Sequence, residues 1–301
     1  MKLKEITEKV FFIPNVVNIG VLRDDENSII LIDTGLDKST GKKILRLLDK
    51  LGLVVKTIIN THSHADHCGG NNYIQKKTNA EIYAPEIEST MIEYPYLEPW
   101  YLYSGANPVE DLKNKFLMAQ PSNVNFVLKK DQNLLEFNEL DLKITSLPGH
   151  APNQIGIEVN SVYFCADVLF SEEILEKHKI PFFIDIEKAR ETLIHIKESQ
   201  YAFYVPSHAK PAENMIELVD ANLNVINTIE KTILEDLQEK KTTEQVLKNL
   251  CDHFQVTITG TQQYFLLKTP IMAYLSSLYN SKRIQVKLEN NLLFWEKSNN
   301  S

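Results

Sequence analysis

The chain has 301 residues, of which 43% are hydrophobic and 24% are charged, and its formal net charge at pH 7 is −8. These proportions are typical of a folded protein with one large domain and an appendage, and they exclude a largely disordered chain. The acidic balance disfavours nucleic acid and anionic membranes as partners, because both attract basic surfaces.

The first nine residues are rich in charge, and the apolar run that follows is broken at Pro14. This segment lacks the apolar centre of a signal peptide, and no stretch approaches the roughly 20 apolar residues of a membrane-spanning helix. Cys68, Cys165 and Cys251 lack C-x-x-C spacing, so we interpret them as packing residues rather than a disulfide framework. We therefore expect a cytoplasmic protein without a membrane partner.

Three short apolar stretches, at residues 10–13, 17–22 and 28–32, predict consecutive strands. Leucines and isoleucines at helical spacing within residues 44–51 predict a helix, and residues 56–61 predict a buried strand after it. The order of these elements indicates a β-α-β unit.

Residues 61–70 read T-H-S-H-A-D-H-C-G-G and place three histidines and an aspartate within six positions, directly after the buried strand. His62 and His64 are two positions apart, so an extended backbone points both side chains to one side. Asp66 and His67 follow where the chain bends, and they can face a second position close by. Imidazole and carboxylate groups are ligands of zinc-like divalent ions. This stretch therefore predicts one metal site and favours two.

An aromatic, proline-broken insertion at about residues 90–121 follows a predicted strand at 81–84, and it includes a predicted helix at 111–118. An insertion between two ligand-bearing loops overhangs the site, so it can form a lid or a wall of a substrate pocket. Aromatic residues also anchor subunit interfaces, and that alternative predicts a homodimer. The candidate contact residues are Tyr94, Tyr96, Trp100, Tyr101 and Tyr103.

After the insertion, the sequence predicts strands at 125–129, 133–137 and 140–147 and a hairpin at 155–159 and 162–165. It then predicts a helix at 186–197 and a strand at 201–205. His150, Asp167 and His208 each stand at or just after the end of one of these strands. His178 and His195 do not stand at strand ends, and we interpret them as a solvated residue and a helix residue.

The motif H-x-H-x-D-H after a strand resembles the hallmark of the metallo-β-lactamase superfamily. Further matches are L-P-G-H at 147–150, F-C-A-D at 164–167, S-H at 207–208 and D-T-G at 33–35, so the resemblance covers about residues 8–210. It implies an α/β fold, a four-layer αββα sandwich, for a catalytic domain at 1–212.

The resemblance also implies a ligand set. Metal 1 would be held by His62, His64 and His150, and metal 2 by Asp66, His67 and His208. Asp167 would bridge the two ions together with a hydroxide, because a carboxylate has two oxygens. Zinc is the expected ion, and iron and manganese also suit nitrogen and oxygen ligands. Asp33, by itself a turn or helix-cap residue, would orient a ligand, and Asp66 would also pass a proton to the leaving group.

Residues 213–301 have a different character. Apolar residues three and four positions apart predict a long helix, T-T-E-Q at 242–245 has the spacing of a capping box, and a hairpin is predicted at 283–288 and 292–295. Helices followed by a hairpin resemble a winged helix. Its basic residues, Lys268, Lys282, Arg283 and Lys287, are few, which favours a packing or dimerisation module over a DNA-binding one.

Three functions are compatible with these features. The first is a dinuclear metal hydrolase that attacks an ester or thioester bond of a small molecule, as in glyoxalase II-like thioesterases. The second is an RNA phosphodiesterase of the β-lactamase-like endoribonuclease branch, whose members also end in a winged-helix-like module. The third is a winged-helix regulator whose metal domain senses a ligand. The V-L-F at 168–170 departs from the tyrosine of quorum-signal lactonases, which disfavours lactone hydrolysis of that type.

Overall fold

The computed structural model describes residues 1–298. Its strands are β1 (Lys4–Glu5), β2 (Val10–Ile13), β3 (Ile19–Arg23), β4 (Ser28–Ile32), β5 (Val54–Ile59), β6 (Glu81–Pro85), β7 (Phe126–Leu128), β8 (Leu134–Glu136), β9 (Asp141–Ser146), β10 (Ile155–Val159), β11 (Val162–Phe170), β12 (Phe203–His208), β13 (Ile284–Glu289) and β14 (Leu292–Lys297). Its helices are α1 (Lys38–Asp49), α2 (Ala65–Cys68), α3 (Asn71–Thr78), α4 (Glu86–Glu93), α5 (Leu97–Leu102), α6 (Glu172–His178), α7 (Ile186–Glu198), α8 (Ile216–Asp236), α9 (Thr243–His253) and α10 (Thr261–Asn280). Within this range no helix combines the length and apolar character needed to cross a membrane.

Two sheets form the middle of the molecule. The first has seven strands in the order β1 to β7, and the second has five in the order β12-β11-β10-β9-β8. Strands β4 to β7 run parallel to one another, whereas β8 to β11 form antiparallel pairs. Every residue of β2 and of β11 is buried, which is expected for strands that are covered on both faces.

Apolar side chains fill the spaces between the layers. Ile32 and Ile157 belong to the cluster between the two sheets. Ile44 of α1 packs on the outer face of the first sheet, and Leu193 of α7 and Ile226 of α8 pack on the outer face of the second. Burial of each such side chain contributes roughly 1.5–3 kcal/mol relative to exposure. The predicted αββα sandwich is confirmed.

The C-terminal region continues the outer helical layer of the second sheet. The predicted capping box is present at the start of α9, where the Thr242 side chain accepts the backbone N–H of Gln245. One hydrophobic cluster extends from Tyr163 in β11 to Ile284 in β13. The predicted domain division at residues 212 and 213 therefore crosses a shared core, and it stays a prediction. The helices and the hairpin occur in the predicted order, and their winged-helix character also stays a prediction.

The insertion is more regular than the sequence indicates, because α4 and α5 both lie within or beside it. The predicted helix at 111–118 is wrong, and a 3-10 turn at Glu110–Leu112 forms there instead. Asn114 Nδ2 donates to the Asp111 carbonyl at 2.7 Å, and Asn114 Oδ1 accepts the Phe116 N–H at 2.9 Å. An asparagine side chain that bonds to nearby backbone competes with helical hydrogen bonds, which explains the difference.

Candidate metal centre

The predicted metal loop follows the end of β5. Asp66 and His67 lie on the one-turn helix α2, so this part is more regular than the predicted loop. Gly69 allows close packing against the connection between β4 and α1, because a Cβ there would lie 1.8 Å from the carbonyl oxygen of Leu36. The Thr34 N–H donates to the His67 carbonyl at 2.7 Å. These contacts hold the loop against the end of β4.

The three residues predicted to bind metal 1 lie together. Nδ1 of His64 is 3.1 Å from Nε2 of His62 and 2.8 Å from Nε2 of His150. Nδ1 of His150 donates to the Phe182 carbonyl at 2.8 Å, which leaves Nε2 of the neutral ring unprotonated and able to bind a cation. The loops after β5 and β9 thus bring together residues that are 86 positions apart.

The remaining predicted ligands surround Asp167. Its Oδ1 is 3.1 Å from Nε2 of His67, and its Oδ2 is 3.1 Å from Nε2 of His208 and 3.3 Å from Nε2 of His150. Oδ2 of Asp66 is 3.3 Å from the same nitrogen of His208. One carboxylate therefore contacts histidines of both predicted groups, which is the arrangement expected of a bridging ligand.

The donor atoms fit metal ions. Three overlapping groups have donor atoms within 4.8 Å of one another: His62, His64 and His150; His62, His67 and Asp167; and Asp66, His67 and His208. Among residues 1–298, His67 Nε2 and Asp167 Oδ1 are buried and lack a hydrogen-bond partner, although they lie 3.1 Å apart. Unpaired buried polar atoms are costly, and a cation between these two atoms would satisfy both.

The cluster perturbs the pKa values of its members. Burial raises the pKa of Asp167, yet the neighbouring histidines, His208 foremost, hold it well below its ordinary value. Burial, reinforced by His150, lowers the pKa of His64 to about 3. Burial also lowers the pKa of His208, but Asp167 outweighs it and the pKa rises to about 10. His64 is thus neutral at pH 7, the form that binds a metal ion, and His208 holds a proton that a metal ion would displace.

Asp33 lies behind the cluster and is 1% exposed. Its Oδ2 accepts the Nδ1–H of His67 and the hydroxyl of Thr61, each at 2.7 Å, and its Oδ1 accepts the Thr61 N–H at 2.8 Å. Nε2 of His67 faces Asp167. Burial lowers the pKa of His67, but Asp167 and Asp33 outweigh it and raise this pKa well above its ordinary value, so a metal ion would displace the proton of Nε2. These contacts favour the orienting role over that of a simple turn residue.

Sequence reasoning missed Glu88, a buried residue of α4. Its Oε2 accepts the N–H and the hydroxyl of Ser63 at 3.0 and 2.6 Å, and its Oε1 accepts the N–H of Asn153 at 2.9 Å. Ser63 lies between two predicted ligands, and Asn153 lies three positions after a third. One carboxylate therefore ties the two ligand loops together. A lone glutamate usually indicates a solvated position, so no local signal distinguishes it.

A cavity of about 910 Å³ borders the cluster. The predicted ligands that line it are His64, Asp66, His150, Asp167 and His208. Further walls come from the insertion, from residues 177–182 and from residues 256–267 of the C-terminal region. Apolar side chains such as Leu117, Ile180 and Leu266 contribute to these walls. Three separate parts of the chain thus enclose a space beside the predicted metal ligands.

The five aromatic residues predicted to contact substrate are Tyr94, Tyr96, Trp100, Tyr101 and Tyr103. None of them is among the residues of 1–298 that line the cavity. The first three are exposed, whereas the last two pack in a small cluster with Phe265 of α10. Phe116 and Leu117 line the cavity instead, so the insertion supplies a wall with other residues. The predicted homodimer stays a prediction.

Four other residues were singled out in the sequence. His178 is exposed, as predicted, but it also lines the cavity. His195 lies in α7 with its ring centroid 6.4 Å from that of Tyr163. Cys68 and Cys165 are buried, as expected for packing residues, and burial raises the pKa of both thiols.

Gly149, next to His150, supports a prediction about this centre. Its φ is 132°, and a Cβ there would lie 2.5 Å from the backbone N and Cα of Ala189. We expect Gly149→Ala to lower the free energy of unfolding by about 2–4 kcal/mol, and to weaken metal binding because His150 must shift. Denaturant unfolding and metal titration would measure the two effects.

Gly52→Ala is the matched control for Gly149→Ala. Gly52 has a φ of 71°, but an added Cβ meets no atom within 4 Å. Gly52→Ala should therefore lower the free energy of unfolding only by the cost of a left-handed backbone conformation, about 1–2 kcal/mol. An equal loss of stability in the two variants would show that contact with Ala189 is unimportant.

Two sheets between helical layers, with histidines and aspartates gathered at the strand ends, define a metal-binding αββα protein. The model of the metallo-beta-lactamase superfamily matches residues 13–208, which is more than half of the chain. The chain belongs to this superfamily.

Relatives and solved structures agree with this assignment. Hydroxyacylglutathione hydrolase GloC of Haemophilus influenzae is 23% identical over 155 residues, which are 51% of this chain and 66% of that protein. A hydroxyacylglutathione hydrolase of Prochlorococcus marinus is 24% identical over 168 residues, which are 52% of this chain and 54% of that protein. The chain thus spans about half to two thirds of the length of these relatives.

The likeness in fold extends over nearly the whole chain. The crystal structure of a metallo-beta-lactamase family protein from Thermus thermophilus covers 97% of this chain and 100% of its own, with a TM-score of 0.74 and 18% identity. At this identity the match shows a common fold, which includes the C-terminal helical region.

Proposed function

We propose that this chain is a metal-dependent hydrolase that cleaves a thioester, or a related ester, of a small molecule at a centre of two metal ions. The observation that carries the proposal is the convergence of the predicted ligands beside a cavity of about 910 Å³. A cavity of this size can enclose a small molecule.

The ligand groups would divide between two ions, and Asp167 would serve both. His62, His64 and His150 would hold one ion, and Asp66, His67 and His208 the other. Two bound ions supply activation of water and polarisation of the scissile carbonyl. Histidine and carboxylate ligands favour zinc, and they also suit iron and manganese.

Asp66 is the residue best placed to move a proton. Its side chain is 32% exposed, against 3% for Asp167, and it lines the cavity. Oδ2 of Asp66 lies against His208, so Oδ1 is the oxygen proposed to pass a proton to the leaving group. Asp167, by contrast, is enclosed and serves as a ligand.

The substrate class follows from the relatives and the cavity together. The relatives named above are hydroxyacylglutathione hydrolases, so they act on a thioester. Phe116, Leu117 and Leu266 give the cavity apolar walls that suit an acyl group. Because the chain matches only part of those relatives, the proposal covers thioesters as a class. It does not specify the thiol to which the acyl group is bonded.

The ion pairs of the C-terminal region argue against an RNA phosphodiesterase. Lys268 pairs with Glu244 at 2.9 Å, Arg283 pairs with Glu230, and Lys287 lies within 4 Å of acidic groups of its own hairpin. These cations are neutralised locally and provide little field for phosphates. The regulator hypothesis is disfavoured because the N-terminal part of α10 lines the cavity instead of facing away from it.

Elemental analysis and a substrate panel test the proposal together. We expect about two zinc ions per chain, turnover of acyl thioesters, and no cleavage of labelled single-stranded RNA. Removal of metal with a chelator should abolish turnover, and added zinc should restore it. RNA cleavage without thioester turnover would show that the chain is an RNA phosphodiesterase instead. One metal ion per active chain would contradict only the proposal that the centre holds two ions.

A further inference from the structure

Glu98 is a cavity residue that the proposed chemistry leaves unused. It lies in α5, is 6% exposed and lines the same cavity as Asp66 and Leu117. No hydrogen bond or ion pair within residues 1–298 involves its carboxyl group. Buried carboxyl groups in proteins are normally paired. That of Glu98 has no partner in the protein and its oxygens are not fully enclosed, so it is available to a group of a ligand in the cavity.

The surroundings of Glu98 favour its neutral form. Burial raises the pKa of Glu98 well above its ordinary value, and the carboxylates of Asp66 and Glu88 add to this effect. A buried carboxylate without a cation or donor is costly, whereas a carboxylic acid is less so. The group can therefore both donate and accept a hydrogen bond inside the cavity.

We propose that Glu98 is a specificity-determining residue that hydrogen-bonds to a hydroxyl group on the acyl part of the substrate. This inference rests on the proposed thioester hydrolysis. Glu98 and Asp66, a predicted ligand, line the same cavity, so the part of the substrate that Glu98 meets lies in the same cavity as the scissile bond. A hydroxyl on the second or third acyl carbon occupies such a position, and it complements a carboxylic acid because it too donates and accepts. A plain acyl group of the same length would leave the carboxyl group unpaired.

The test compares 3-hydroxybutyryl and butyryl thioesters of one thiol. We expect the metal-loaded wild-type protein to prefer the hydroxyacyl substrate in kcat/KM by about tenfold or more. Glu98→Leu should lower kcat/KM for the hydroxyacyl thioester by about 10- to 100-fold and leave that for the butyryl thioester within about threefold. Glu98→Gln should keep most of the preference, because an amide also donates and accepts.

Two further measurements distinguish hydrogen bonding of Glu98 to the substrate from a structural or metal-binding role of this residue. Glu98→Leu should keep its metal content and unfold at the same or a higher temperature, since it removes an unpaired buried polar group. The matched control is Glu86→Leu, at an exposed position in the first turn of α4, which should leave the substrate preference unchanged.

The outcomes distinguish the inference from the function on which it rests. Thioester turnover with no preference for the hydroxyl group, or with a preference that survives in Glu98→Leu, overturns the inference alone. Loss of metal in Glu98→Gln also overturns it, because that result assigns Glu98 a charged role at the metals. Absence of any thioester turnover by the metal-loaded wild-type protein overturns the proposed function and the inference with it.

Discussion

Asp167→Ala is expected to abolish metal loading and turnover together. The two oxygens of Asp167 lie 3.1–3.3 Å from the Nε2 atoms of His67, His150 and His208, so one substitution removes a donor from both proposed ions. Loss of a residue that only supports a ligand costs roughly 10- to 100-fold in metal affinity or activity. Loss of the shared ligand should exceed that range. Elemental analysis and kcat/KM for the preferred thioester would measure it.

Asp167→Asn and Asp131→Ala complete the experiment. The amide keeps the size of the side chain but removes its negative charge, so it should also lose metal if charge neutralisation holds the ions. Asp131 is exposed in the turn between β7 and β8, and its replacement should change neither metal content nor turnover. Retention of two metal ions by Asp167→Ala would show that the bridge is assigned to the wrong residue.

The candidate ligands lie together as the sequence predicts, and their role as metal ligands stays a prediction. His62, His150 and His208 stand at or just beyond the ends of apolar strands of the two sheets. The predicted position of Asp167 after the end of a strand is wrong, because β11 continues past it to Phe170. His62 and His64 could be paired from spacing alone, whereas His150 and His208 needed the family resemblance. The hairpin whose second strand carries Asp167 was also predictable, since its turn falls at Asn160 and Ser161 between two apolar runs.

Contacts between residues far apart in the chain could not be predicted from the sequence. Glu88 contacts Asn153 across 65 positions, and no sequence pattern near either residue indicates this contact. The aromatic residues of the insertion were predicted as contacts because of their residue type. The tertiary packing of the insertion decides which side chains reach the cavity, so Phe116 and Leu117, which follow the 3-10 turn, were missed.

The cavity wall formed by residues 256–267 was not predicted either, because it also depends on contacts between distant segments of the chain. Asn114 Nδ2 of the insertion donates to Gln262 Oε1 at 2.9 Å, across 148 positions. The helical pattern of α10 predicts a buried face, but it does not say which part of the molecule covers that face. The cavity is thus a product of tertiary packing between segments whose local sequences describe only their own secondary structure.

Asp33→Asn is expected to weaken metal binding by roughly 10- to 100-fold while the fold is kept. The carboxylate accepts the Nδ1–H of His67 at 2.7 Å, and an amide nitrogen in its place would face that donor with a second donor. The backbone of Asp33 has a φ of 61°, which asparagine tolerates, so the loss should appear in metal affinity rather than in stability.

Asp33→Ala separates the two roles of this residue. Alanine removes the same hydrogen bonds to His67 and Thr61, and it adds the cost of a left-handed backbone, about 1–2 kcal/mol. We expect similar metal affinities for the two variants in competition with a chromophoric chelator, and a lower unfolding temperature for alanine alone. If Asp33→Asn instead binds zinc as tightly as the wild-type protein, the orientation of His67 does not depend on this carboxylate. Asp33 would then be a turn residue after all.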